Sequence, residues 1–170
     1  MNYDCIIIGG GIAGLTCGIK CLKEGLSCAV ISSGMSALHF SSGSIDVFGY
    51  DEQSRPVDNP FNYIEKFTAL HGHHPYAKCG PDNIKEALFF FKDALAEEGL
   101  ELHHNSNENH FIISTLGILK PSFFSQRSVY NEEIGGVFGK KSKIAFLNFD
   151  GYRDFYPDIT IANLKKNALF

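Results

Sequence analysis

The sequence predicts an α/β fold, and three observations carry that expectation. An apolar run from Tyr3 to Ile8 leads directly into Gly9-Gly10-Gly11-Ile12-Ala13-Gly14. A helical pattern follows to Glu24, and a second apolar run, Ser27 to Ser32, returns at the length of a parallel crossover. Strand, glycine turn, helix and strand in this order make a βαβ unit of the Rossmann-like, FAD/NAD(P)-binding type. The glycine spacing alone is weak; the strand before it and the helix after it give it meaning. Gly9 permits the tight turn, Gly11 lets backbone approach a phosphate, and Gly14 lets helix and strand pack closely. With Gly10 and Ala13 they form a cradle of bare backbone, where the unpaired N–H groups and dipole of the helix N-terminus face the anion.

The bulk numbers fit a globular chain. Of 170 residues, 44% are hydrophobic and only 20% charged, enough apolar surface for one sizeable core. The net charge is −4 and the basic residues are scattered, which argues against nucleic acid or an anionic membrane surface as the main partner. No apolar run approaches the ~18 residues of a membrane span. Asp4 and the glycine turn stand where a signal peptide needs basic and then uninterrupted apolar residues, so a cytoplasmic location is expected. Five cysteines, an odd number, suit a reduced compartment better than a disulfide framework. Cys17 and Cys21 share a helix face but have no neighbouring pair at zinc-like spacing, so no metal site is expected.

In the first helix the polar residues Thr16, Lys20, Lys23 and Glu24 fall within an arc of about 100°, which predicts cover over most of the remaining circumference. Gly25 supplies the left-handed stop. After the second strand, where many such units place an acid to hold a ribose hydroxyl pair, this chain has Ser32-Ser33-Gly34. The missing carboxylate weakens the usual grip on an adenosine ribose and makes FMN a serious candidate beside FAD. The loop from Gly34 to Asp46 is rich in small hydroxyl residues with apolar anchors. Ser41, Ser42, Gly43 and Ser44, with Ser32 and Ser33, are therefore placed beside the cofactor. His39, a lone loop histidine, receives no role.

Residues 1–50 thus read as the first βαβ unit with its serine-rich loop, and 51–140 as a helical and β insertion. Asp51 to Pro60 is polar, with two prolines, and reads as an exposed excursion. Phe61 to Leu70 follows as a short helix. His71, His73 and His74 lie around Gly72 and Pro75, as turn residues rather than metal ligands. Pro81 starts a helix with Ile84, Leu88, Phe91 and Leu95 at helical spacing, ended by Gly99. Phe89-Phe90-Phe91 is expected to pack between subdomains. Short strands are expected in 100–104, 109–114 and 117–121. Residues 141–170 read as the start of a further βα unit: a buried strand from Lys143 to Phe149, a turn at Asp150-Gly151, and a helix from Pro157 to Asn167. The chain stops where another parallel strand should follow, so the fold is expected to be truncated there.

The glycine turn, Ser-Ala-Leu-His-Phe-Ser-Ser-Gly-Ser at 36–44, His-Pro-Tyr at 74–76, Gly-Pro at 80–81 and Thr-Leu-Gly at 115–117 occur in one order. In these features the sequence resembles the family of B-type subunits of anaerobic glycerol-3-phosphate dehydrogenase. The serine-rich motif is the specific part. The likeness covers the whole chain but only the N-terminal portion of family members, so this stretch alone is expected to be inactive. The resemblance implies an FMN-associated oxidoreductase subunit working with a catalytic flavoprotein subunit and a membrane-bound iron–sulfur subunit. Glycerol 3-phosphate would be oxidised to dihydroxyacetone phosphate, with electrons passing through quinone in anaerobic respiration. The complex would sit on the cytoplasmic face of the inner membrane through a partner.

The catalytic residues stay unassigned. Alcohol oxidation needs a base and cations for the substrate phosphate, and Arg55, Arg127 and Arg153 lie in separate segments. Electron relay is therefore the expected task. A non-catalytic scaffold with a vestigial nucleotide fold is the alternative; an NAD-dependent dehydrogenase ranks below both, because no acid follows the second strand.

Overall fold

The computed structural model describes residues 2–131 and 144–166. Strand β1 (Cys5–Ile8), helix α1 (Ile12–Lys23) and strand β2 (Cys28–Ile31) form the expected unit, with β1 and β2 parallel from Cys5↔Cys28 to Ile8↔Ile31. The Asp4 carboxylate ties the strand starts together, accepting from Ser27 N at 2.9 Å and Ser27 Oγ at 2.6 Å. Those bonds hold its carboxyl below the usual range. At the far end of α1, Gly25 takes φ +79°. Leu26 N then bonds Cys21 O and Gly25 N bonds Leu22 O, the paired closure that satisfies a helix's last carbonyls.

Helix α1 covers one face of the two strands, where a Cβ on Gly18 would lie 3.5 Å from Ile7 Cδ1 and 3.6 Å from Val30 Cγ2. The broad cover expected around α1 is not found among the described residues. Leu15, Ile19 and Leu22 are all exposed and only Gly18 is buried, because a two-stranded sheet is too narrow to bury a wide apolar face.

A 3-10 turn (Ala37–Phe40) follows, capped by the Ser36 side chain accepting from Leu38 N. The chain then enters a second core. Ile45 N donates to Phe124 O at 2.8 Å, while Ile45 O accepts from Phe123 N at 2.9 Å and Phe124 N at 3.1 Å. Residues 51–55 close a tight turn in which the Asp51 carboxylate accepts from Gln53 N, Arg55 N and Arg55 Nε. The expected exposed excursion is corrected at its end: Val57 and Pro60 are buried. The cause is long-range, since Asn109 Nδ2 donates to Phe48 O and Val57 O and draws that segment inward.

Helices α2 (Pro60–Leu70), α3 (Pro75–Cys79) and α4 (Pro81–Glu97) each begin at proline, whose fixed φ and missing N–H suit a first turn. Asn59 and His74 cap α2 and α3 with their side chains, so His74 serves the backbone. Short α3 replaces the expected turn. Strands β3 (Leu102–His103), β4 (His110–Ile113), β5 (Leu119–Ser122) and β6 (Ser125–Gln126) pair antiparallel as β3 with β6 and β4 with β5. The core comprises Val47, Phe61, Ile64, Leu102, Phe123 and Phe124, ringed by Phe89, Phe91 and other α4 residues. Phe89 meets Phe123 and Phe124 edge-on, while Lys20 and Lys23 of α1 lie over the Phe90 ring. The three phenylalanines thus join the two parts, as expected.

Helix α5 (Pro157–Lys166) docks on the β4–β5 turn, with Thr160 Oγ1 donating to Thr115 O at 2.6 Å and Asn163 Nδ2 to Leu116 O at 2.7 Å. The buried strand expected over 143–149 does not form in its described part, 144–149, and Leu147 and Phe149 are more than four-fifths exposed. A strand needs a ladder for its N–H and C=O groups, and the following helix is fastened to the 115–117 turn instead of to β1–β2. Lys143 and the end of the expected helix, from Asn167, lie outside the described residues. Among the described residues, no helix is long and apolar enough to cross a membrane, and no His, Cys, Asp and Glu group could hold a metal ion.

Candidate functional site

The glycine turn opens where β1 meets α1. Gly9 takes φ +111°, a conformation other residues rarely adopt, and its N–H bonds Ile31 O at 2.8 Å, pinning the turn to the end of β2. A Cβ on Gly14 would fall 2.0 Å from Gly9 O, so this glycine is required by the contact of helix and turn. Gly11 is different. It sits at φ −79°, ψ −179°, which any residue can adopt, and a Cβ there would meet nothing within 4 Å. Internal packing does not demand glycine at this position, whereas a ligand seated against the backbone would. No side chain caps α1, and its first bond runs from Leu15 N to Gly11 O. The first-turn amides therefore point outward as donors for an anion.

The serines divide into four kinds. Ser32 Oγ donates to Gly34 O at 3.0 Å and lies 3.0 Å from where a Gly10 Cβ would be, so Ser32 and Gly10 pack as a pair. Ser33 is exposed. In the serine-rich loop, Ser41 Oγ accepts from Gly43 N and Ser42 Oγ from Ser44 N, each at 3.3 Å, so these hydroxyls shape the loop itself. Gly43 takes φ +71°, and a Cβ on it would collide with the Gln126 side chain. Ser44 Oγ is buried without a hydrogen-bond partner among the described residues.

A cavity of about 670 Å³ lies between α1, α4 and the segment after the loop. Ile12, Ala13 and Thr16 line it from α1, and Ile45, Asp46 and Val47 from the loop's exit. The two motifs thus lead onto one mostly apolar hollow, although of the eleven expected cofactor residues only Ala13 lines it. The far wall is Ile84, Ala87 and Phe91 of α4. Sequence reading missed that contribution; helical spacing marks these residues as apolar but not as the wall of a site. Asp46 is paired with Lys120 of β5, and burial pushes the Tyr76 hydroxyl above its usual pKa.

Residues 4–168 match the model of the FAD binding domain family. The chain belongs to that family. Its α/β fold is accordingly Rossmann-like and FAD-binding in type. This FAD binding domain is also similar to proteins named as the B-type subunit of anaerobic glycerol-3-phosphate dehydrogenase. The one from Aliivibrio fischeri (strain MJ11) is 41% identical over 167 residues, 98% of this chain and 37% of the relative. The one from Vibrio vulnificus (strain YJ016) is 40% identical over 171 residues, 100% of this chain and 38% of the relative. That from Pasteurella multocida (strain Pm70) is 39% identical over 176 residues, 100% of this chain and 40% of the relative. The chain thus spans roughly two-fifths of the length of these relatives. No solved structure matches it.

A flavin fits the residues present. Unpaired amides at α1 and the open space over Gly11 provide for the phosphate and the close backbone approach.

Proposed function

We propose that this FAD binding domain holds a flavin in a subunit of a glycerol-3-phosphate:quinone dehydrogenase and relays electrons within that complex. The observation that carries the reading is the space over Gly11, left open beside unpaired helix amides. Gly9, Gly10, Gly11, Ala13 and Gly14 would hold the phosphate, and Ser32, Ser33, Ser41, Ser42, Gly43 and Ser44 would border the cofactor. A bound flavin supplies one- and two-electron chemistry, while the chain orients it and keeps water away.

Substrate oxidation is assigned to the partner flavoprotein subunit. Arg55 is occupied, its guanidinium bonding Asp51 and Gln53, and so is a poor candidate for a substrate phosphate. The relatives' name supports a subunit of an anaerobic glycerol-3-phosphate dehydrogenase; a membrane-bound iron–sulfur partner and a place at the cytoplasmic face of the inner membrane are part of the proposal. The family description names FAD; Ser32, in the position of the ribose-binding acid, favours FMN.

The test is purification of the intact natural polypeptide with its partners, followed by mass analysis of the flavin released on denaturation. A yellow subunit releasing FMN supports the reading in full. FAD corrects the cofactor alone. A colourless subunit in an active complex supports the second reading, a scaffold with a vestigial nucleotide fold, which the missing carboxylate at Ser32 favours.

A further inference from the structure

The hollow begins at Ile12 and Ala13, directly after the glycine cradle, and its volume of about 670 Å³ is in the usual range for a site that takes a flat organic ring. Among the described residues, three charged side chains line it: Lys20, Asp46 and Glu86. Lys20 bonds Glu24 at 2.8 Å and also lies within the field of Glu86, so those charges offset one another. Asp46 is different, because its neighbours hold it in place. Ile45 exchanges backbone hydrogen bonds with Phe123 and Phe124, and Val47 is buried, its carbonyl accepting from Tyr76 Oη at 2.6 Å. The Asp46 carboxylate is paired with Lys120, whose place in β5 is fixed opposite Ile112, and both side chains are only partly exposed. His110 lies within reach of the same carboxylate, but burial pushes its pKa down to about 4 and leaves it neutral near pH 7. Lys120 therefore carries the compensating charge.

We propose that the ion pair of Asp46 with Lys120 sets the reduction potential of a flavin whose ring enters this hollow. Reduction by two electrons and one proton adds one negative charge to the ring. A bare carboxylate on the cavity wall opposes that charge and holds the potential down, whereas a lysine in contact with the carboxylate cancels most of the opposition. Asp46 faces the space the ring would fill, and Lys120 acts through it from the β insertion. This role rests on the flavin reading above.

The test is the midpoint potential of the flavin bound to the intact natural polypeptide, read from its absorbance against dyes of known potential. Asp46→Asn keeps the side chain's shape, removes the negative charge and should favour the reduced form roughly tenfold, a rise of about 30 mV for a two-electron couple. Lys120→Met leaves the carboxylate uncompensated and should lower the midpoint by a similar amount; Lys120→Gln replaces it if it fails to fold. The two substitutions together should return the midpoint close to its natural value. Opposite signs are what charge demands, whereas loss of a merely structural ion pair would move both single variants the same way. A midpoint unmoved in either single variant, or displaced in one direction by both, overturns the proposal and leaves flavin binding intact. A natural protein that holds no flavin overturns the flavin reading and this one with it.

Discussion

Gly11 and Gly14 have opposite reasons for being glycine. Gly14 faces the carbonyl oxygen of Gly9 across a gap that a Cβ would close to 2.0 Å, so backbone must move to admit one. Gly14→Ala is expected to destabilise the fold by about 1–3 kcal/mol, the usual cost of overpacking, read as a lower urea midpoint. His110 makes a different kind of demand. It is 1% exposed, its Nε2 lies 2.7 Å from Ser125 Oγ, and burial, reinforced by His103 and His104, pushes its pKa down to about 4. Above pH ~6.5 the ring is neutral folded or unfolded and its contribution is fully present. Between there and about 4, the unfolded chain binds a proton that the folded one refuses, so stability falls as pH falls. The loss should reach about 2 kcal/mol between roughly pH 7 and pH 5. Urea unfolding at both values checks this: His110→Gln should lose that share of the pH dependence, and an unchanged dependence contradicts it.

At the level of elements, the serine-rich loop is held by the β insertion as much as by the glycine turn that precedes it. Ile45 exchanges backbone hydrogen bonds with Phe124, and Phe124 is fully buried with Phe89 and Phe123 against it. Phe124→Ala should cost about 3–5 kcal/mol, the range for truncating a buried aromatic side chain. Because the same segment, between β5 and β6, anchors the loop, it should also raise protease cleavage around residues 41–44; cleavage unchanged there would separate loop from core. What could be read from sequence was local. The βαβ unit, the proline-initiated helices and the glycine stops at 25 and 99 each follow from a few adjacent residues whose backbone preferences need no partner. The pairing of Ile45 with Phe124, strand β6, and the role of Asn109 in burying Val57 depend on residues far apart in the chain. No periodicity announces them. The strand expected there failed over 144–149 for the same reason: its Ile, Phe and Leu suit a strand, but α5 is bound elsewhere and no ladder partner among the described residues reaches residues 144–149.

Taken whole, the molecule joins a narrow βαβ unit to a well-filled insertion core through α1, α4 and the loop exit. Away from α1, the β1–β2 sheet exposes Ile6, Ile8 and Ile31, at 61%, 88% and 57%. Such a patch favours association. The 170-residue chain made alone should bind an apolar dye and sediment faster as concentration rises, and Ile8→Lys should reduce both; no change would show that this face is not the adhesive one. The glycine cradle is the part of this architecture on which the flavin reading stands. Its most direct test is the flavin content of the intact natural polypeptide against that of Gly11→Val, with circular dichroism and urea unfolding run on both stripped proteins. Since a Cβ at Gly11 would meet no atom within 4 Å beyond its chain neighbours, the variant should fold with about the same stability and lose its flavin by at least about a hundredfold in affinity, as expected when a side chain occupies the phosphate's space. A folded Gly11→Val protein that keeps its flavin would contradict the cradle.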